Sequence, residues 1–187
     1  MKHLIGVIGA SAGDGILPSQ TALSFAYETG RLIAENGAVL ICGGKSGVME
    51  ASCKGASEAG GITVGFLPGM DRSDANPYVD IALPTGIGLA RNVLTVRASE
   101  VVIMISGGLG TLNELTIAVN EQLVPAIVLT GTGGWADRVR DIAYEGIYLD
   151  ERCKNPVHFA SNPEEAVALA IQFCLKMKVD RNSGQST

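Results

Sequence analysis

Five short apolar runs recur along the chain: Leu4–Ile8, Ala38–Cys42, Ile62–Phe66, Val101–Ile105 and Ala126–Leu129. Each is followed by a segment of helical period. The runs are apolar at nearly every position rather than at every second one. That pattern suits strands buried on both faces, as in a parallel sheet between two layers of helices. Repeated strand–helix units predict an α/β chain with a Rossmann-like, doubly wound, mostly parallel sheet flanked by helices and joined by right-handed crossovers. A shorter run, Val79–Leu83, reads as a further strand, and Val157–Ala160 as one closing an edge.

The helices carry their own start and stop signals. Ser19–Asn36 follows Pro18 and ends at Gly37, with Ala22, Phe25, Ala26, Leu32 and Ile33 on one face. Others are predicted over Gly47–Ala59, over Gly88–Ala98, from near Gly110 to about Gln122, and after Trp135. The last begins with Asn162 as N-cap, Pro163 at its first position and Glu164 and Glu165 in its first turn. Its buried face is Ala166, Ala170, Phe173 and Met177.

With 187 residues and no linker or repeat, the chain is expected to form one domain over residues 1–177, with 178–187 as a polar, flexible tail. The formal net charge of −5 and the lack of any basic run argue against nucleic acid as a partner. No leader or membrane span is expected, and the location read from the sequence is cytoplasmic. Cys42, Cys53, Cys153 and Cys174 form no Cys-x-x-Cys spacing and read as four reduced thiols. His3 and His158 read as standing alone, so no metal site is expected.

Three glycine-bearing loops follow apolar strands. They are Gly9-Ala10-Ser11-Ala12-Gly13, Gly43-Gly44-Lys45-Ser46-Gly47-Val48-Met49 and Ser106-Gly107-Gly108-Leu109-Gly110-Thr111. Glycine permits a sharp turn and close approach of the backbone to a ligand, and the helix that follows presents unpaired N–H groups. Together they can hold a phosphate without a basic side chain. In a doubly wound sheet all three loops fall beyond the carboxyl ends of the strands, where ligands bind. The first loop lacks the Gly-x-Gly-x-x-Gly spacing of dinucleotide folds and there is no Walker A sequence, which disfavours a standard dehydrogenase or P-loop NTPase. Glu114 lies one turn into the helix opened by the third loop. Arg91 stands near the start of the preceding helix and suits bidentate recognition of phosphate or carboxylate.

These residues give the chain a resemblance to the Lonely Guy family, the cytokinin-activating phosphoribohydrolases often mislabelled lysine decarboxylases. It looks closest to a sister branch of short bacterial and archaeal proteins related to the molybdenum cofactor carrier protein. The resemblance spans roughly Ile5 to Leu129. The family pattern G-G-x-x-G-x-M appears at Gly43–Met49, and its signature P-G-G-x-G-T-x-x-E at Ser106–Glu114. The resemblance implies a SLOG-type fold and a homodimer or homotetramer. It implies a small phosphorylated ligand held by Gly9, Ser11, Gly43, Gly44, Gly47, Met49, Gly107, Gly108, Gly110 and Thr111. No cofactor is required; a bound nucleotide or molybdopterin-type ligand is compatible.

In the phosphoribohydrolases the matching arginine and glutamate, here Arg91 and Glu114, are the catalytic pair that splits the N-glycosidic bond of a nucleoside 5′-monophosphate. Three positions depart from that pattern. Ser106 replaces the signature proline, which is expected to loosen the turn. Asn113 and Asn92 stand where the active enzymes usually carry an acid and a lysine. Two readings follow: a non-catalytic carrier or sensor of a phosphorylated heterocycle, or a phosphoribohydrolase.

Overall fold

The computed structural model describes residues 1–13, 17–120, 124–152 and 154–182. Seven strands form one sheet in the order β4-β3-β2-β1-β5-β6-β7, and every pairing between them is parallel. The strands are β1 (Leu4–Gly9), β2 (Val39–Cys42), β3 (Ile62–Leu67), β4 (Ile81–Pro84), β5 (Val101–Ile105), β6 (Ala126–Leu129) and β7 (Val157–Ala160). The helices are α1 (Gln20–Glu35), α2 (Val48–Glu58), α3 (Arg91–Arg97), α4 (Leu109–Asn120), the short α5 (Val139–Ile142) and α6 (Pro163–Asn182). The chain is therefore the doubly wound α/β fold expected. No helix among the described residues is long and apolar enough to cross a membrane.

The sheet is apolar on both faces because side chains alternate between two cores. Ile103 and Ile105 join Ile5, Val7 and Leu40 beneath α1, α2 and α6, while Val102 and Met104 join Val96 of α3 and Leu115 of α4 on the other side. Helices α1 and α2 lie unusually close. Gly30 faces the Ser52 carbonyl and Gly55 the Tyr27 carbonyl, with no space for a Cβ at either position.

The capping signals correspond to observed bonds. The Ser19 hydroxyl accepts the Ala22 N–H at 3.1 Å, and the Asn162 side chain accepts the Glu165 N–H at 2.8 Å. Several boundaries differ from expectation. The fourth strand begins two residues later, at Ile81, and runs into Pro84, which an edge strand tolerates. The predicted Gly88–Ala98 helix is a 3-10 turn, Gly88–Ala90, followed by α3, and Gly88 itself lies outside the right-handed helical region at φ +58°. The helix expected after Trp135 is a 3-10 turn over Gly134–Asp137 followed by α5. Helix α6 continues to Asn182, beyond the expected end of the domain at residue 177. Gln122, Cys153 and residues 183–187 lie outside the described residues.

Candidate functional site

Strands β2, β1 and β5 are neighbours, so the three glycine loops meet along one edge of the sheet, at the point where the strand order reverses. The first two loops are bonded to each other. The Val48 N–H donates to the Ala10 carbonyl at 2.9 Å, and the Ser46 hydroxyl to the Ala12 carbonyl at 2.9 Å. Gly47, at φ +76°, fits against Ala10 and Ser11 with no room for a side chain. Asn76, from the irregular segment after β3, donates to the Gly44 and Lys45 carbonyls at 3.2 and 3.0 Å and holds the second loop from the other side.

Arg91 and Glu114 come together beneath this edge. The Arg91 Nη1 donates to Glu114 Oε1 at 3.1 Å and to the Thr95 hydroxyl at 3.3 Å. Both side chains are about nine-tenths buried, at 10% and 8% exposure. Burial pushes the Glu114 carboxyl up to about 7, a rise that the Arg91 charge opposes but does not cancel. Gly43 is part of this arrangement, because a Cβ there would lie 2.6 Å from the guanidinium carbon. The lack of a side chain at Gly43 makes room for Arg91. The Arg91 Nε is a buried donor with no partner among the described residues.

The two asparagines that depart from the hydrolase pattern bond to each other. Asn92 Nδ2 donates to Asn113 Oδ1 at 2.8 Å and to the Gly110 carbonyl at 3.4 Å. They form a neutral link from α3 to α4, one residue along from the Arg91–Glu114 pair.

The third loop is not loosened by Ser106. Ser106 has φ +56°, which a proline ring cannot adopt, and its N–H, which a proline lacks, donates to the Thr132 hydroxyl at 2.8 Å. The turn is fastened to the segment after β6. There the Trp135 N–H donates to the Gly107 carbonyl at 2.9 Å, and Asp137 accepts the Gly131 and Gly133 N–H groups at 2.6 and 2.9 Å. This segment, Thr130-Gly131-Thr132-Gly133-Gly134, is a fourth glycine-bearing loop after an apolar strand. The signal that marked the other three was present here too. Gly107, Gly108, Leu109, Gly134, Trp135 and Arg138 line an open groove of about 380 Å³.

The remaining candidate residues divide by environment. Cβ atoms at Gly108 and Gly110 would meet nothing, so these positions face open space. Helix α4 begins there, and because the Leu112 N–H meets the Gly108 carbonyl, the N–H groups just before it have no helical acceptor. Ser11 is exposed. Thr111 is buried against Gly107, and Gly9 packs under Val48. Met49 is a core residue, 5% exposed, between the sheet and α1, so its side chain is removed from the loop surface.

Cys42 and Cys53 are buried free thiols whose sulfurs share a hydrogen bond at 3.5 Å, with no disulfide between them. His3 does not stand alone, as its Nδ1 lies 2.9 Å from Glu100 Oε2. Sequence distance hides this pair, since the two residues are 97 positions apart.

An uncharacterized protein of Archaeoglobus fulgidus is 44% identical over 132 residues, covering 68% of this chain and 83% of that protein. The structure of the molybdenum cofactor binding protein from Rippkaea orientalis superposes with a TM-score of 0.78 at 36% identity, covering 92% of this chain and 97% of that one. The molybdenum cofactor carrier protein from Chlamydomonas reinhardtii superposes with a TM-score of 0.75 at 34% identity, covering 92% and 98%. The model of the SLOG cluster4 family matches residues 2–167, and the chain belongs to that family.

Proposed function

We propose that this protein is a carrier or sensor that binds a phosphorylated, nucleotide-type ligand of the molybdopterin class at its glycine loops without cleaving it. The observation that carries this reading is the state of Arg91 and Glu114. Their charged ends meet each other under Gly43, and Arg91 Nε is a buried donor with no partner among the described residues. A buried donor without an acceptor is costly, by about 1–3 kcal/mol, and a ligand oxygen would satisfy it. The open backbone at Gly108 and Gly110 and the first-turn N–H groups of α4 suit a phosphate. The neutral Asn92–Asn113 link in place of an acid and a base supports binding over hydrolysis. Likeness to two proteins named for the molybdenum cofactor supports the ligand class.

One observation favours the hydrolase reading. The pair is retained, and a carboxyl near 7 is suited to proton transfer at neutral pH. Co-purified ligand separates the two. Protein purified without oxygen and then denatured is expected to release a fluorescent pterin. Release of adenine or another free base alone would oppose the carrier reading.

We also propose a homo-oligomer in a reducing, cytoplasmic setting that leaves Cys42 and Cys53 as thiols. Ile62, Ile81 and Leu83 on β3 and β4, with Leu89, Val93 and Leu94 at α3, are exposed apolar residues that a second copy would cover. A monomeric mass in light scattering would remove that proposal.

A further inference from the structure

The edge of the sheet opposite the glycine loops gathers three metal-binding side chains from distant parts of the chain. His3 immediately precedes β1, Glu100 immediately precedes β5, and Cys174 lies on α6. The first two sit at the amino ends of adjacent central strands, where the Glu100 N–H also donates to the Leu4 carbonyl at 2.8 Å. A ring nitrogen of His3, a carboxylate oxygen of Glu100 and Cys174 Sγ all lie within 4.8 Å of one another. The His3 and Glu100 side chains are 13% and 18% exposed, and Cys174 is fully buried. The cluster therefore opens to solvent on one side and closes on the core at the other.

We propose that His3, Glu100 and Cys174 form a binding site for a borderline-soft divalent cation of the zinc type. The donor set selects the ion. A thiolate is unsuited to magnesium or calcium, whereas nitrogen, oxygen and sulfur together are the usual ligands of zinc. A neutral imidazole, a carboxylate and a thiolate balance a divalent charge. Binding releases the thiol proton of Cys174 to solvent and displaces the contact between His3 and Glu100. Bonds of about 2.0–2.3 Å place tetrahedral ligand atoms roughly 3.3–3.8 Å apart, so the widest present separation contracts by about 1 Å. Side-chain rotation at His3 and Cys174 supplies that movement. Glu100 is already oriented by an outer bond, since its Oε2 accepts the Leu4 N–H at 3.0 Å. Three protein ligands leave a fourth position for water. The bound ion ties α6 to the start of β1 and β5, far from the glycine loops, and the site does not depend on what those loops bind.

The test is a titration of the full chain, stripped with chelator under reducing conditions, with Co(II) as the spectroscopic probe. The expected result is a single equivalent bound, with a sulfur-to-cobalt charge-transfer band and the intense visible bands of four-coordinate cobalt, both removed by added Zn(II). Cys174→Ser loses the charge-transfer band. His3→Ala, at a partly exposed position, keeps the fold and binds much more weakly. At the same concentration, Zn(II) raises the melting temperature of the wild type by more than that of either variant. A charge-transfer band absent from the wild type overturns the proposal. So does one that persists in Cys174→Ser, which would place the cation on Cys42 and Cys53, and so does unchanged affinity in His3→Ala.

Discussion

Replacing Gly43 by alanine isolates the buried Arg91–Glu114 pair. Gly43 is not in the left-handed region, so alanine meets no backbone penalty there, and by restricting the unfolded chain it would normally stabilise by about 0.4–1 kcal/mol. Its Cβ, however, would lie 2.6 Å from the Arg91 Cζ and Nη2 and closer still to Nη1. The guanidinium must retreat by roughly 1 Å to restore ordinary van der Waals contact. The 3.1 Å bond to Glu114 does not survive that movement. Breaking a buried ion pair costs about 3–5 kcal/mol. Partial protonation of Glu114 and the gain in the unfolded state lower the expected net loss to about 2–4 kcal/mol. In an Arg91→Ala background the space is empty, and the same substitution should cost less than about 1 kcal/mol. The assay is urea unfolding of the four proteins followed by circular dichroism at pH 8, where Glu114 is ionised. Equal losses from Gly43→Ala in both backgrounds would refute the idea that Gly43 exists to house Arg91.

Three further outcomes follow from the same geometry. Ser106→Pro should cost at least about 3 kcal/mol, because it removes the N–H bonded to Thr132 and cannot adopt φ +56°, whereas Ser106→Gly should stay within about 1 kcal/mol of the wild type; comparable losses in urea melts would contradict this. Glu114 has its carboxyl raised from 4.5 to about 7 on folding, so its contribution is fully present below pH 4.5 and is lost as pH rises through 7, by about 3 kcal/mol. Glu114→Gln should therefore flatten the stability profile across that window, and parallel wild-type and variant profiles would count against it. Gly30→Ala improves helix propensity by about 1 kcal/mol yet should lower stability by at least about 2 kcal/mol, since its Cβ would lie 2.7 Å from the Ser52 carbonyl carbon; a higher melting temperature would refute the close α1–α2 contact.

The sheet was legible because burial on both faces leaves an unbroken apolar signature, and β1, β5 and β6 needed nothing more. The glycine loops were legible as turns but not in their particular roles. A Cβ at Gly43 would strike Arg91, and one at Gly47 would strike the first loop. Those reasons lie across space, in residues tens of positions away. Arg91 and Glu114 were each singled out by position, yet their burial against one another depends on how α3 and α4 cross the sheet edge. The same holds for Asn92 and Asn113, which read as two separate losses and are one hydrogen-bonded link. The role of Ser106 was not legible because residue type alone does not reveal its φ of +56° or its N–H bond to Thr132. The loop after β6 had the required glycines, and its link to the third loop runs through the Ser106 N–H and the Thr132 hydroxyl, 26 positions apart.

The central claim is binding without cleavage. Its most direct test is to incubate the wild type and Glu114→Ala with a panel of nucleoside 5′-monophosphates and measure free base, with bound nucleotide measured in parallel by calorimetry. The account predicts retained binding and no base release above the uncatalysed rate from either protein. Base release by the wild type that disappears in Glu114→Ala would contradict it and establish a phosphoribohydrolase.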